Sequence, residues 1–288
     1  LYPMDTPHLF GGMYVTSSAV NVMKAILSMG TFIVVVQSRT WAAKTGKEAE
    51  FYMLIVSTLL GMFAMMSAGN FVMFFLGLEM ASVPLACAVA FDMYRKNSAE
   101  AAAKFILTAT FSSGVMLYGI SFLYGQFGTL YFEDIAVKMQ ATPLTVIGLV
   151  FFFSGLGFKI SLVPFHFWTA DTYQGAPTTV TGYLSVISKG AAAFTLLSIL
   201  FHVFGNMMEY WHVLLMIVVV LSITIANLFA VRQNELKRFM AFSSISQAGY
   251  IMLAAIGNNW ANSVAALSYY VLIYVVANMA VFTIISVV

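Results

Sequence analysis

Eighteen consecutive residues, Val213 to Ala230 (VLLMIVVVLSITIANLFA), carry no charge, and the run GLVFFFSGLGF at Gly148–Phe158 has no polar face. A helix that is apolar all round must be buried, in a core or in a bilayer. A length of about 20 residues matches the hydrocarbon thickness of a membrane. Of 288 residues, 61% are hydrophobic and only 8% are charged, whereas soluble domains carry about 25% charge. That leaves too little polar surface to cover a water-soluble globule. A transmembrane β-barrel would show short alternating segments, and the sequence has none. The expected fold is therefore all-α, a polytopic transmembrane helix bundle forming a single domain over residues 1–288.

Nine membrane segments are expected, at about 13–37, 50–68, 70–91, 99–124, 143–173, 176–204, 210–231, 238–257 and 261–288. Their connections are short and rich in Gly, Asn, Asp and Pro. Only AGN (Ala68 to Asn70) joins the second to the third, which implies a tight antiparallel hairpin. If the first segment starts outside, the cytoplasmic connections hold Arg39, Lys44, Lys47, Arg95, Lys96, Arg232, Lys237 and Arg238. Lys104 lies at the cytoplasmic end of its helix. Only Lys138 lies opposite, an asymmetry that fixes orientation by the positive-inside rule. Trp41, Trp168, Trp211 and Trp260 fall near segment ends, as interfacial aromatics do; Trp168 is also placed to line a break. Leu1 is not a start methionine, and the chain reads as a fragment of a longer membrane protein, truncated at both ends.

Against this background a few ionisable residues stand out. Glu79, in FFLGLEMASVPL, sits near the middle of its span. An ionised carboxylate there must find a partner or take up a proton. Lys159, in SGLGFKISLVPFHFW, is too deep to snorkel easily to either interface. Pro164 follows five residues later and clashes with the carbonyl of Ile160, so the helix is expected to break just after Lys159, near 160–165. Irregular backbone at membrane depth is tolerated only where it is buried in protein or lines a wet cavity. Lys189, in GYLSVISKGAAAF, lies mid-span among small residues that let helices approach closely. A buried lysine beside a movable charge can change protonation near neutral pH. His166 follows the proline and is placed to join Lys159 and Lys189 in a polar line.

Other ionisable groups fit plainer roles. Lys24 is equally deep, but nothing near it in sequence supports more than a structural or lipid-facing role. Lys237 sits at a helix end, where positive-inside anchoring accounts for it. His202 and His212 fall near the outer interface, and Cys87 reads as a small buried apolar residue that permits no internal disulfide. There is no P-loop, no G-x-G-x-x-G after a strand, no haem-binding histidine pair and no Cys/His cluster. No cofactor, metal or nucleotide hydrolysis is expected in this chain, so energy for transport must come from an ion gradient or from partner subunits.

The stretch GFKISLVPFHFWTADTYQGAPTTVTGYLSVISKGAAAF (Gly157 to Phe194) closely resembles the proton-translocating, antiporter-like subunits of respiratory complex I, NADH–quinone oxidoreductase. YQGAPT and the lysine spacing look most like the N subunit, the counterpart of mitochondrial NADH dehydrogenase subunit 2. FLGLEMASVPL, AAKFILTATFSSGVMLYGISFLYGQFGTL and NLFAVRQNELKRFMAFSSISQAGY are similar to three further helices of that family. The resemblance implies a proton antiporter-like fold of which this chain would hold the third to the eleventh of fourteen helices. It implies that Glu79 is the glutamate of the fifth helix, Lys159 the lysine of the broken seventh, Lys189 that of the eighth and Lys237 that of the tenth. A further lysine of the twelfth helix would lie beyond Val288. Ala170 stands where the family usually has proline, and Gln247, which does not titrate, where the N subunit often has histidine.

By the same resemblance, Glu79 pairs with Lys159, and loss of that pairing sends protons through His166 and Lys189, with Lys237 a further candidate. Redox chemistry with NADH, FMN, iron–sulfur clusters and a quinone would belong to other subunits. Partners would be neighbouring membrane-arm subunits in a bacterial inner membrane. The same pattern also occurs in subunits of multi-subunit cation/proton antiporters and membrane-bound hydrogenases, and a non-pumping structural subunit is a third reading.

Overall fold

A computed structural model describes residues 9–92 and 94–287. The helices are α1 Ser18–Thr45, α2 Glu48–Met66, α3 Phe71–Val89, α4 Lys96–Phe127, α5 Phe132–Lys138 and α6 Pro143–Ile160. They continue as α7 Phe167–Gly175, α8 Thr178–Tyr183, α9 Lys189–His202, α10 Met208–Val231, α11 Leu236–Leu253 and α12 Trp260–Val287. A π-helical turn, Leu184–Ser188, fuses α8 and α9 into one span. Among the described residues, nine helical stretches are long and apolar enough to cross a membrane. The only β pairing described is isolated bridges near the helix ends, such as Tyr14 with Ala68.

Local chemistry sets the ends. Ser17 accepts the Val20 N–H at the start of α1, and Asn70 accepts that of Met73 at the start of α3. Thr142 and Thr145 cap α6 reciprocally, with Pro143 at its first position, where the missing N–H costs nothing. Gly46 and Gly128 end α1 and α4 in left-handed conformations that suit glycine. The short helix α5 falls where the sequence reads as a connection. Ile135 is its one buried residue, so it carries no long periodic signal.

The span α8–α9 lies at the centre. It is 89% buried along its apolar stretch, against 28% for the peripheral α4. Around it, α1 packs on α12 and α2, α4 on α6 and α7, and α11 on α10 and α7. Cys87, expected inside, is instead exposed on α3. It belongs to the outward face that also carries Leu76, Met80 and Val83. An apolar run is equally at home facing lipid or protein, so its sequence does not say which way each residue turns.

The α2–α3 hairpin is the tightest pairing, and two glycines permit it. A Cβ on Gly77 would lie 2.4 Å from the Met65 nitrogen, and one on Gly61 would lie 2.4 Å from the Ala81 nitrogen. Backbone cannot yield as a side chain can, so close approach here requires residues without a Cβ. Gly77→Val in the full-length protein is expected to destabilise by about 1–3 kcal/mol. A detergent thermal melt would show this as a lowered midpoint; an unchanged midpoint would contradict the close packing.

Candidate proton-transfer site

The helix carrying Lys159 stops one residue later. Ser161 takes a left-handed conformation (φ 68°, ψ 38°), its N–H bonds the Phe158 carbonyl, and the Leu162 N–H bonds that of Gly157. This is the Schellman pattern with serine where glycine is usual. The segment Ser161–His166 is non-helical and contains a cis Val163–Pro164 bond. The break thus falls where the sequence placed it. The turn that closes α6 precedes the proline, however, so it is not the clash with Ile160 alone that ends the helix. Ser222 of α10 accepts the Val163 N–H at 2.9 Å, and the Trp168 indole donates to the Phe158 carbonyl at 3.0 Å. Trp168, read as interfacial or break-lining, is therefore buried at the break.

Lys159 is 4% exposed. Its Nζ donates to Ser82 Oγ of α3 at 2.7 Å and lies 5.8 Å from the Phe105 ring centroid. Ser82 in turn donates to the Leu78 carbonyl at 2.7 Å. Glu79 sits one helical turn before Ser82, half-buried, close enough for its charge to act on Lys159. Among the described residues no ion pair joins the two. The direct Glu79–Lys159 pairing is thus replaced here by a serine contact on the same helix. A cavity of about 10 Å³ beside the amine is lined by Ser82, Ser112, Ser113 and Gly155, the lower limit for a single water.

Lys189 follows the π turn and is 1% exposed. Its Nζ donates to Ser244 Oγ of α11 at 2.7 Å and lies 5.4 Å from the Tyr173 ring of α7. The Tyr173 hydroxyl is 3.2 Å from the same Ser244 oxygen. Nearby, Ser185 in the π turn meets the Tyr274 hydroxyl of α12 at 3.2 Å and accepts from the Asn278 amide at 2.7 Å. His166 is 7% exposed, stacks on Phe167 and lies close enough to Lys189 for their charges to interact. Its Nδ1 has no hydrogen-bond partner among the described residues. Lys237 stands apart from these groups. Its Nζ donates to the Ala176 carbonyl at 2.6 Å and to that of Gln174 at 3.3 Å, capping the end of α7. Lys24 bonds the Tyr14 hydroxyl at 2.8 Å, beside the Phe63 ring.

Residues 68–288 match the family described as NADH:quinone oxidoreductase/Mrp antiporter, transmembrane. The chain belongs to this family. It is 62% identical over 289 residues to NADH-quinone oxidoreductase subunit N of Phocaeicola vulgatus, covering 99% of this chain and 61% of that one. It is 51% identical to subunit N of Azobacteroides pseudotrichonymphae, covering 96% of this chain and 58% of that one. The chain therefore spans about three-fifths of the length of these relatives. Among solved structures it superposes on a chain of respiratory complex I from Thermus thermophilus with bound aureothin. The TM-score is 0.82 at 32% identity, covering 96% of this chain and 58% of that one. A chain of an archaeal membrane-bound sulfane sulfur reductase gives a TM-score of 0.80 at 26% identity, with coverage of 91% and 54%.

Within this family fold, Lys159 and Lys189 are both buried. The sequence did not point to Ser82, Ser244 and Tyr173, which contact the two amines, nor to the neighbouring network of Ser185, Tyr274 and Asn278. The last two carried a signal: Tyr270, Tyr274 and Asn278 recur at four-residue spacing, which places them on one helix face. Among the described residues Ser82 is the one acceptor bonded to the Lys159 amine, so Ser82→Ala is expected to cost about 1–3 kcal/mol by orphaning a buried donor. Removing both partners, Lys159→Met with Ser82→Ala, should cost less than Ser82→Ala alone. Thermal melts of the full-length variants check this, and simple additivity of the two changes would refute the bond's role.

Proposed function

We propose that this chain belongs to a proton-translocating membrane-arm subunit of NADH–quinone oxidoreductase, seated in a bacterial inner membrane beside other antiporter-like subunits. The observation that carries this reading is Lys159. It is a buried amine in the last turn of a helix that breaks at membrane depth, bonded to a serine one turn from Glu79. Electron transfer through NADH, FMN, iron–sulfur clusters and quinone takes place in other subunits, and this chain moves protons only.

The amine has two alternative holds on α3. On Ser82 it is bonded to a neutral oxygen; nearer Glu79 it is paired with a charge that favours its protonated form. Movement between the two changes its readiness to give up a proton. His166 and Lys189 then form the onward path, His166 through its free ring nitrogen and Lys189 through the Ser244–Tyr173 hydroxyls. Lys237, bonded to backbone carbonyls at the end of α7, serves first to anchor that helix.

In an assembled complex with full-length subunit, Lys159→Met is expected to reduce proton pumping and the coupled quinone reductase rate to below about a tenth, with assembly intact. Normal rates and proton stoichiometry would sink the relay role. Loss of sodium/proton exchange, with quinone reduction untouched, would instead favour a cation/proton antiporter.

A further inference from the structure

Helix α7 touches the surroundings of both buried lysines at once. Near its start, Trp168 bonds the Phe158 carbonyl, adjacent to Lys159, and packs on Phe105, the ring that faces the Lys159 amine. Five residues on, Tyr173 meets Ser244 and offers its ring to Lys189. The two side chains are separated by about 7.5 Å along the axis. A rigid shift of α7 therefore changes the environment of both amines together.

Little within α7 itself fixes its position. At nine residues it is too short to be stable alone. His166 gives no side-chain cap at its start, and the chain turns extended at Ala176, before Pro177, at its end. What holds its outer face is charge. Asp171 lies between Trp168 and Tyr173 in sequence. One carboxylate oxygen accepts from Lys104 of α4 at 2.8 Å and the other from Arg238 of α11 at 2.7 Å. Arg238 also donates to the Gln174 side chain at 3.0 Å, while Lys237 holds the Gln174 and Ala176 carbonyls. Two helices thus meet α7 through one carboxylate, and Lys104 also pairs with Glu100 of its own helix at 2.7 Å.

We infer that Asp171 is a positioning residue: through Lys104 and Arg238 it holds α7 in the register where Trp168 and Tyr173 serve both buried lysines together. The inference rests on the proton-transfer reading of Lys159 and Lys189 given above, to which it adds the element that links them. The side chains of Asp171 and Arg238 are about one-third exposed and that of Lys104 somewhat more. The clamp can therefore be loosened by salt as well as by mutation.

The test uses the assembled complex with full-length subunit. Asp171→Asn is expected to lower proton pumping about fivefold, to reduce the number of protons moved per electron and to alter the pH profile of quinone reduction. Asp171→Glu, which keeps the charge, should recover most of the loss. Raising ionic strength should move the wild type toward the Asp171→Asn behaviour and leave the variant unchanged. This salt arm decides the matter even if Asp171→Asn fails to assemble. Wild-type stoichiometry and pH profile in Asp171→Asn, or in wild type at high salt, would overturn the inference. Lys159→Met run alongside separates the two claims. If it abolishes pumping while Asp171→Asn changes nothing, only the clamp fails; if it too pumps normally, the proton-transfer reading fails with it.

Discussion

A backbone that stops being helical inside a membrane must bond its freed N–H and C=O groups to other protein groups, because lipid offers none. The break between α6 and α7 meets that demand from three directions. The turn at Ser161 recaptures the carbonyls of Gly157 and Phe158. Ser222 reaches in from α10 to take the Val163 N–H, and the Trp168 indole returns from α7 to the Phe158 carbonyl. These bonds fix the place of Lys159, since it lies in the turn they terminate. They also tie that place to α10 and α7, so the amine's position depends on helices distant in sequence.

Hydroxyl groups do around the lysines what carboxylates do in surface ion pairs, with a different consequence. A carboxylate bonded directly to a buried amine would hold the charge firmly. Ser82 and Ser244 each accept one hydrogen bond, bring no charge, and can donate onward by rotating the hydroxyl. Each amine is therefore held in position by a neutral partner. The ion pairs that Asp171 of α7 forms with Lys104 and Arg238 lie instead where all three side chains are about one-third exposed or more, and solvent offsets the cost of charge.

This division explains what could be read from the sequence. Glu79, Lys159 and Lys189 were legible because each is a single costly exception in an apolar run, and Pro164 marked the break because proline removes a helical hydrogen bond and crowds the carbonyl four residues back, although α3 runs on through Pro84. Ser82 and Ser244 were not legible. Serine in a membrane helix commonly bonds the carbonyl four residues back, as Ser82 does to Leu78, so its presence signals nothing until a partner helix is known. Asp171 was hidden for a related reason. Its partners lie 67 residues away on either side, Lys104 before it and Arg238 after, and no local pattern pairs them.

The lysines show why depth in the sequence is an incomplete guide to role. Lys24, as deep in its predicted segment as the others, reaches back to Tyr14 outside α1, beside an aromatic ring. Lys237 bonds main-chain carbonyls at the end of α7, which can neither give nor take up a proton. Lys159 and Lys189 differ from Lys237 in bonding a hydroxyl and from Lys24 in being shielded from solvent, and each faces an aromatic ring set by the same short helix or its packing partner. Burial beside a hydroxyl, and not depth in the sequence, sets Lys159 and Lys189 apart from Lys24 and Lys237, and both lie where α7 is in reach.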